Sequence, residues 1–412
     1  MLRSILHSDL NNFYASVECQ VNPEIRNKPV AVCGSQSTRH GIVLAKNYIA
    51  KEYGVKTASP IWEAKSICPK LIIVKPNFPL YLKYSRMVKR IYSEYTDQIE
   101  SFGIDECWLD VTGSKQLFGE GESIAWRIKE RVKNELGITC SIGVSYNKIF
   151  AKLGSDMRKP DAITVITTED IERMVFPLLC EELLYVGKAT KRKLNNIAVY
   201  TIGDLANCNP KVLEGILGKW GRTLWYFANG MDNSPVHKTD YEHGIKSIGN
   251  SLTTPRDMVN DLEVKMLLLI LSESIGQRLR QHGLAGKTVQ ITIKDSNLQT
   301  VERQSKLKFH TNTTIEIYKE SFNIFQSCWD WNMNIRLLGV RVLDLLMIDE
   351  YVQLSMFMDK KHDKQERIDY CIDKIRDRFG YESVKRALIL KEDIFNYNYI
   401  EEEAIHPMAF RF

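Results

Sequence analysis

Residues 101 to 113, SFGIDECWLDVTG, set two adjacent carboxylates, Asp105 and Glu106, inside a β-rich apolar run. Phe102, Ile104, Trp108 and Val111, bounded by Gly103 and Gly113, read as two short strands or one bent hairpin. Neighbouring side chains on a strand point to opposite faces, so both acids can meet one ion only where the strand twists or ends. Unpaired carboxylates in an apolar hairpin would each cost several kcal/mol, a cost that a divalent cation taking oxygen ligands offsets. The alternative is a solvent-facing turn carrying ordinary acids.

Asp9 supplies the other half of the pattern. Leu2, Ile5 and Leu6 lead into HSDLNNFYASVE, a short strand ending at Asp9 and passing into a helix around Phe13, Tyr14 and Val17. An acid at the end of the first strand and an acidic pair on a later one can lie side by side in one sheet. Three carboxylates there would hold two cations, the arrangement used for in-line phosphoryl transfer.

The chain's 412 residues favour two to four domains. The longest apolar run, Met266 to Leu271, is too short to span a membrane, and Asp9 arrives before a signal-like segment can form. Nine cysteines without a Cys-x-x-Cys argue against a disulfide framework and a zinc site, and the expectation is a reduced, cytoplasmic protein. Net charge is only +5, so nucleic-acid binding has to be argued from local clusters.

In order, the first 165 residues read as a β-α-β-β-α-β unit: the Asp9 strand, an insertion from about Pro29 to Asn77, a helix near Tyr81 to Tyr95, the acidic hairpin, a helix through Ile124, Ile128, Val132 and Leu136, and a strand from Thr139 to Ser145. Helices would cover one sheet face and leave the other free for a substrate. Fold alone licenses no function. Within the insertion, Tyr48 and Lys51 lie three apart on one helix face with Lys46 nearby, which suits a triphosphate or simply a solvated basic helix. Residues 145 to 162, SYNKIFAKLGSDMRKPDA, flank a short helix with Lys148, Lys152, Arg158 and Lys159, and Lys159 beside Pro160 falls on a loop able to reach phosphate.

SDLNNFYASVE, NYIAKEYGVKTASP, SFGIDECWLDVTG and GVSYNKIFAKLGSDMRKP, in this order and at these intervals, resemble the Y-family translesion DNA polymerases of bacteria. The resemblance runs from Ile5 to about Leu345 and implies an α/β multidomain, right-hand polymerase with a split-βαβ (ferredoxin-like) palm. On it, residues 1–27 and 78–165 are the palm, 28–77 small fingers, 166–235 a helical helix-hairpin-helix thumb, 236–246 a linker, and 247–346 an α+β little finger. A tail, 347–412, carries a clamp-binding peptide at 353–357 and a helix at 365–379. The resemblance makes Asp9, Asp105 and Glu106 the catalytic, metal-binding acids, with the Leu10 carbonyl a further ligand for two Mg²⁺, Mn²⁺ able to substitute. Tyr14 matches the steric gate that excludes a 2′-hydroxyl, and Phe13, Lys46, Tyr48, Lys51 and Lys159 fall among the nucleotide contacts. Two departures stand in the fingers: Lys51 where arginine is common, which gives up the bidentate fork, and Ala45 where a hydroxyl residue is common.

Beyond Val165, residues 181 to 206 read as helix, Val186-Gly187-Lys188 turn, helix, and a further helix after Thr201. A glycine turn exposes N–H groups to a DNA phosphate, with Gly187, Lys188 and Lys191 as contacts and Arg192 and Lys193 adding charge. Tyr185 and Ala198 occupy positions where the family commonly has glycine. In KTVQITIK, Thr288, Gln290 and Thr292 alternate with Val289, Ile291 and Ile293, so one face is polar. That face, with Arg303, Lys306, Lys308 and Arg341 on other strands, would track a duplex backbone, unless it is merely solvated. Gln353, Leu354, Met356 and Phe357 resemble the short peptide by which bacterial polymerases hold the sliding clamp. An amphipathic helix through Ile368, Cys371, Ile372, Ile375 and Phe379 reads as docked structure, stopped by Gly380. The expected protein is a monomeric, error-prone polymerase acting on primer-template DNA and dNTP in damage tolerance, without an exonuclease. The alternatives are a non-catalytic DNA- and clamp-bound scaffold and a cyclase-like enzyme on the same sheet.

Overall fold

The computed structural model describes residues 3–34, 41–239, 241, 244–348 and 360–391. They fall into two compact units, one running to Tyr241 and one holding residues from 244 on.

The first unit opens with β1 (Ile5–Leu10), α1 (Phe13–Val21), β2 (Val30–Cys33), β3 (Val43–Lys46), α2 (Tyr48–Glu52), α3 (Ile61–Ile67) and β4 (Ile72–Val74). It continues with α4 (Phe78–Ser93), β5 (Ile99–Ser101), β6 (Glu106–Asp110), α5 (Lys115–Phe118), α6 (Gly121–Leu136), β7 (Cys140–Ser145), α7 (Lys148–Met157) and β8 (Ile163–Ile166). The main sheet has the order β5-β6-β1-β7-β8, with β1 antiparallel to both neighbours. Its first four strands are the order a split βαβ unit demands. β8, parallel to β7, extends that sheet beyond the expected set. The insertion forms its own small sheet, β3-β2-β4, over a separate core that includes Val43, Ala50, Ile61 and Ala64.

β1 is buried along its whole length because both sheet faces are covered. Leu6 and Leu10 pack with Val88 and Ile91 of α4 and Ile124 and Ile128 of α6. On alternate positions Ile5 packs with Trp108, Ala151 and Val236, and His7 reaches Ser155 on α7. The second face is therefore not bare, as the sequence reading had it, but crossed by α7. Gly143 makes the crossing possible: a Cβ there would stand 1.9 Å from the Ala151 carbonyl oxygen and 2.5 Å from the Ser155 nitrogen. Asn147 starts α7 by accepting from the Phe150 N–H at 2.8 Å, a cap that typically contributes about 1 kcal/mol.

The unit closes with four helices, α8 (Lys188–Asn195), α9 (Ile202–Asn207), α10 (Pro210–Leu217) and α11 (Lys219–Ala228). Tyr185 and Ala198, the two residues standing where glycine is common, adopt φ of 72° and 58°. The hairpin thus keeps a glycine backbone without glycine, at a cost of roughly 1–2 kcal/mol per residue. The stretch expected as a polar linker begins docked: Val236 is buried, and the His237 and Thr239 N–H groups donate to Glu100 and the Asp97 carbonyl.

The second unit comprises β9 (Ser247–Met258), α12 (Asp261–Gln281), β10 (Leu284–Asp295), β11 (Thr300–Thr311), α13 (Thr314–Cys328), β12 (Ile335–Met347) and α14 (Lys360–Phe379). Its antiparallel sheet runs β11-β10-β12-β9, and Val289, Ile291 and Ile293 join α12 and α13 in the core. α14 docks as expected of a structural helix, but through charge. Asp369 and Arg376 are buried, whereas Ile368, Ile375 and Phe379 of the apolar stripe are exposed. Among the described residues no helix is long and apolar enough to cross a membrane.

Candidate active site

Asp9 and Glu106 are direct partners across the β1–β6 ladder, and Asp105 lies one residue before β6, in the bend that leads into the strand. The Leu10 N–H donates to the Asp105 carbonyl at 3.1 Å, tying the bend to the end of β1. From α7, Lys152 places its ammonium 3.2 Å from Asp9 Oδ2, 3.0 Å from Glu106 Oε2 and 3.1 Å from Asp156. Lys159 stands 2.8 Å from the same Asp9 oxygen. Residues about a hundred and fifty apart in sequence thus meet at one strand end.

The electrostatics are strained. Burial raises Asp9 although Lys152 and Lys159 pull the other way. Burial, with the charges of Glu106 and Asp9 beside it, pushes Asp105 up to about 7. Burial opposes the charge of Glu106 as well, yet the His7 ring and Lys152 hold it down, to about 2. Glu106 Oε2 and His7 Nε2 lie 3.4 Å apart, and both are buried without an aligned hydrogen bond. Among the described residues no three metal-type side chains close around a single point. An ammonium takes that place between Asp9 and Glu106. A hard, oxygen-only donor set with one oxygen lacking an aligned hydrogen bond and one carboxyl held from ionising by burial and then by its neighbours' charges fits a divalent cation, which would relieve both defects.

Tyr14 stacks on Tyr81 with ring centroids 4.4 Å apart, and Phe78 meets it edge-on. Burial and the Asp105 charge push its hydroxyl up to about 12, so the half-buried ring stands close to the acids. Phe13 is different. At 3% exposure its side chain belongs to the core, leaving only its backbone for a nucleotide; Asn12 does not cap that helix start. Tyr48 begins α2, and after burial the charges it feels are those of Lys159 and Asp9, which brings the inserted segment to the same site. Lys51 lies over the Tyr48 ring at 5.6 Å, and Lys46 donates to Thr57 at 2.9 Å. Burial, then Lys51, lowers Lys46.

Gly187 forms the N-cap of α8 with open space beside it. Lys188 is exposed there, and Lys191 pairs with Glu181 at 2.5 Å. In the second unit, ladder register puts Thr288 opposite Lys306 and Gln290 opposite Arg341, so those cations share the polar face, as does Lys308 by alternation. Arg303 is a correction. It pairs with Ile291, whose partner on β12 is the buried Val340, so it lies on the helix-covered face at the sheet edge. Thr288 is buried, donating to Asp344 at 2.5 Å. Gln353, Leu354, Met356 and Phe357 lie outside the described residues.

The sequence reading missed His7 and the central role of Lys152, and it left Lys148 undecided. Lys148 is structural, bound to Glu100 at 2.7 Å over the Trp108 ring. A signal existed for His7: it sits two before Asp9, hence on the same strand face. None existed for Lys152, because which helix turn faces the acids depends on the tight Gly143 crossing.

With this geometry in hand, comparison with known proteins is specific. The family model described as "impB/mucB/samB family" matches residues 8–156, and that of its C-terminal domain matches residues 245–356. Among solved structures, a Y-family DNA polymerase chimera superposes with a TM-score of 0.74 at 27% identity, covering 84% of this chain and 99% of that one. The chain belongs to the impB/mucB/samB family, the Y-family DNA polymerases. It is 59% identical to the DNA polymerase IV of Acetivibrio thermocellus, over 95% of this chain and 98% of that one. The DNA polymerase IV of Clostridium kluyveri is 38% identical, over 95% and 99%. The right-hand architecture and DNA-directed polymerase activity of the translesion type follow from that membership, as does dependence on a divalent metal.

Proposed function

We propose that Asp9, Asp105 and Glu106, with the Leu10 carbonyl, hold two Mg²⁺ ions, Mn²⁺ able to substitute, and that this strand end is where a primer is extended. The observation that supports this is the charge imbalance at the strand end: burial and the charges of Glu106 and Asp9 push Asp105 up to about 7, and Glu106 keeps a buried oxygen without an aligned hydrogen bond. When bound, the ions lower the pKa of the attacking hydroxyl and neutralise charge on the attacking and leaving oxygens. Everything else falls to the chain. Tyr14 shapes the sugar's floor against a 2′-hydroxyl. Tyr48, Lys51, Lys46 and Lys159 take the triphosphate, Lys159 leaving Asp9 to do so, and the Phe13 N–H at the start of α1 faces an anion. Template and primer align the 3′-hydroxyl on the α-phosphate, and positioning supplies much of the rate.

Gly187, Lys188 and Lys191 would grip one DNA phosphate, and Lys306, Lys308 and Arg341 a duplex backbone, with affinity falling as salt rises. The reading further includes a single polypeptide per primer end, work in the bacterial cytoplasm, and tethering to the sliding clamp through Gln353, Leu354, Met356 and Phe357. The test is Asp105→Ala, assayed with primer-template, dNTPs and Mg²⁺ alongside DNA affinity. Extension should vanish with DNA binding largely kept. Retained extension would remove these acids from the chemistry, and a wild-type chain that binds DNA without extending it would favour the scaffold.

A further inference from the structure

Asn11 follows the metal strand by one residue and is 2% exposed, yet no step above uses it. Its side chain is fully engaged. Oδ1 accepts from the Asp161 N–H at 2.9 Å and from the Thr139 hydroxyl at 3.1 Å, and Nδ2 donates to the Ser141 hydroxyl at 2.9 Å. Its own N–H is held by the Thr139 carbonyl at 2.9 Å. Asp161 lies two residues past Lys159, in a backbone with φ of 53°, and its carboxylate is held by Lys129 at 3.2 Å and Lys133 at 2.7 Å. The loop bearing Lys159 is thus fixed twice, through its carboxylate to α6 and through its N–H to the end of β1.

We infer that Asn11 is a positioning residue: its buried amide ties the Lys159 loop to the strand end carrying Asp9 and Leu10, so that the triphosphate lysine and the metal acids keep one frame. The inference rests on the triphosphate role proposed for Lys159. A buried amide suits the task because an unpaired N–H or carbonyl there would cost about 1–3 kcal/mol, which makes the loop's place discrete. Losing the brace lets Lys159 sample positions from which it binds the nucleotide less often, an effect on dNTP affinity more than on turnover.

The experiment uses the full chain with primer-template and Mg²⁺, comparing Lys159→Ala, Asn11→Ala, Asn11→Asp and the double Asn11→Ala/Lys159→Ala. Lys159→Ala should raise the dNTP KM roughly tenfold, Asn11→Ala by a comparable factor with kcat within about threefold, and the double variant no further than about twofold beyond Lys159→Ala. Asn11→Asp keeps the oxygen acceptors and should retain a near-native KM. Without nucleotide, amide exchange at Asp161 should speed up by at least about tenfold in Asn11→Ala and not in Asn11→Asp. Additive effects, an unchanged KM in Asn11→Ala, or Asn11→Asp as impaired as alanine would overturn the brace. If the alanine variant fails to fold, the aspartate arm decides by its KM and its exchange rate. An unchanged KM in Lys159→Ala overturns the lysine's role instead, and the exchange arm then judges the brace separately.

Discussion

In the second unit Glu273 accepts from Arg376 at 3.2 Å, Arg386 at 2.8 Å and Tyr381, while in the first unit Glu106 Oε2, equally cut off from water, has an ammonium at 3.0 Å, an imidazole nitrogen at 3.4 Å and no aligned bond to either. The same contrast extends outward from each glutamate. Arg280 forks onto Asp373 at 2.6 and 3.0 Å and donates to the Asn312 carbonyl at 2.7 Å, and Asp369 takes Arg386 at 2.7 Å and the Thr314 N–H at 2.8 Å. Around Asp9, by contrast, burial, then the charges of Glu106 and Asp9, keeps Asp105 from ionising near neutral pH, although Lys152 and Lys159 bond Asp9 itself. Buried charge that is saturated by fixed partners holds a helix in place. Buried charge left short of partners is poised for a ligand, because only an arriving cation completes it.

The largest expected effect tests the saturated side. Glu273→Ala takes the carboxylate from the buried Arg376 and leaves the part-exposed Arg386 with Asp369 alone, and should cost about 3–5 kcal/mol. Denaturant unfolding read by amide exchange in α12 and α14 measures it. A loss below about 1 kcal/mol would mean that water already reaches the cluster, and the contrast between the two sites would fail.

Next comes the poised side, with the opposite sign. The Asp105 carboxyl sits at about 7 when folded against an ordinary 3.8, so between those values the folded chain binds the proton more tightly than the unfolded one. Stability therefore falls as pH rises from about 4 to about 7, and the penalty is complete above that range. Asp105→Asn removes it and should stabilise the metal-free protein by on the order of 1–3 kcal/mol at pH 8 while ending primer extension. The melting difference between variant and wild type should widen from pH 4 to 7 and then level. Added Mg²⁺ should raise the wild-type melting temperature at pH 8, and chelation reverse it, with a much smaller shift in Asp105→Asn. Equal melting temperatures at all pH values would show that Asp105 is not held from ionising.

How much of this was written in the sequence differs between the two clusters. Asp9, Asp105 and Glu106 are legible because acids in apolar strands are anomalous, and the strand pattern puts them on neighbouring strands. Tyr14 and Tyr48 are legible through their place in the ordered motifs. Phe13 shows where this stops, since burial of one aromatic and half-exposure of the next is decided by Tyr81 and Phe78, far along the chain. Arg303 was legible and misjudged: it stands three residues from Lys306 on a stretch of regular register, so alternation alone puts the two on opposite faces. The network around Glu273 left no sequence signal at all, because charged residues on α12 and α14 read as solvent-facing until the helices are docked. Tyr185 and Ala198 are the reverse case, where a missing glycine in the pattern pointed to a backbone strain that is present.

α14 carries the smallest prediction, and it bears directly on the contrast. Its apolar stripe reads as the docking face, yet Ile368 and Ile375 are each 39% exposed and Phe379 65%, whereas Asp369 and Arg376 on the other side are buried at 1% and 6%. If the helix is held by its saturated charges, the stripe contributes little to its docking. Ile375→Lys should then change stability by no more than about 0.5 kcal/mol, the range of ordinary surface substitutions. A helix held by apolar burial would instead lose about 1.5–3 kcal/mol on the same change, as a buried isoleucine does. Amide exchange along α14 in Ile375→Lys, set beside the Glu273→Ala protein, separates the two, since only the loss of charge pairing should release the helix.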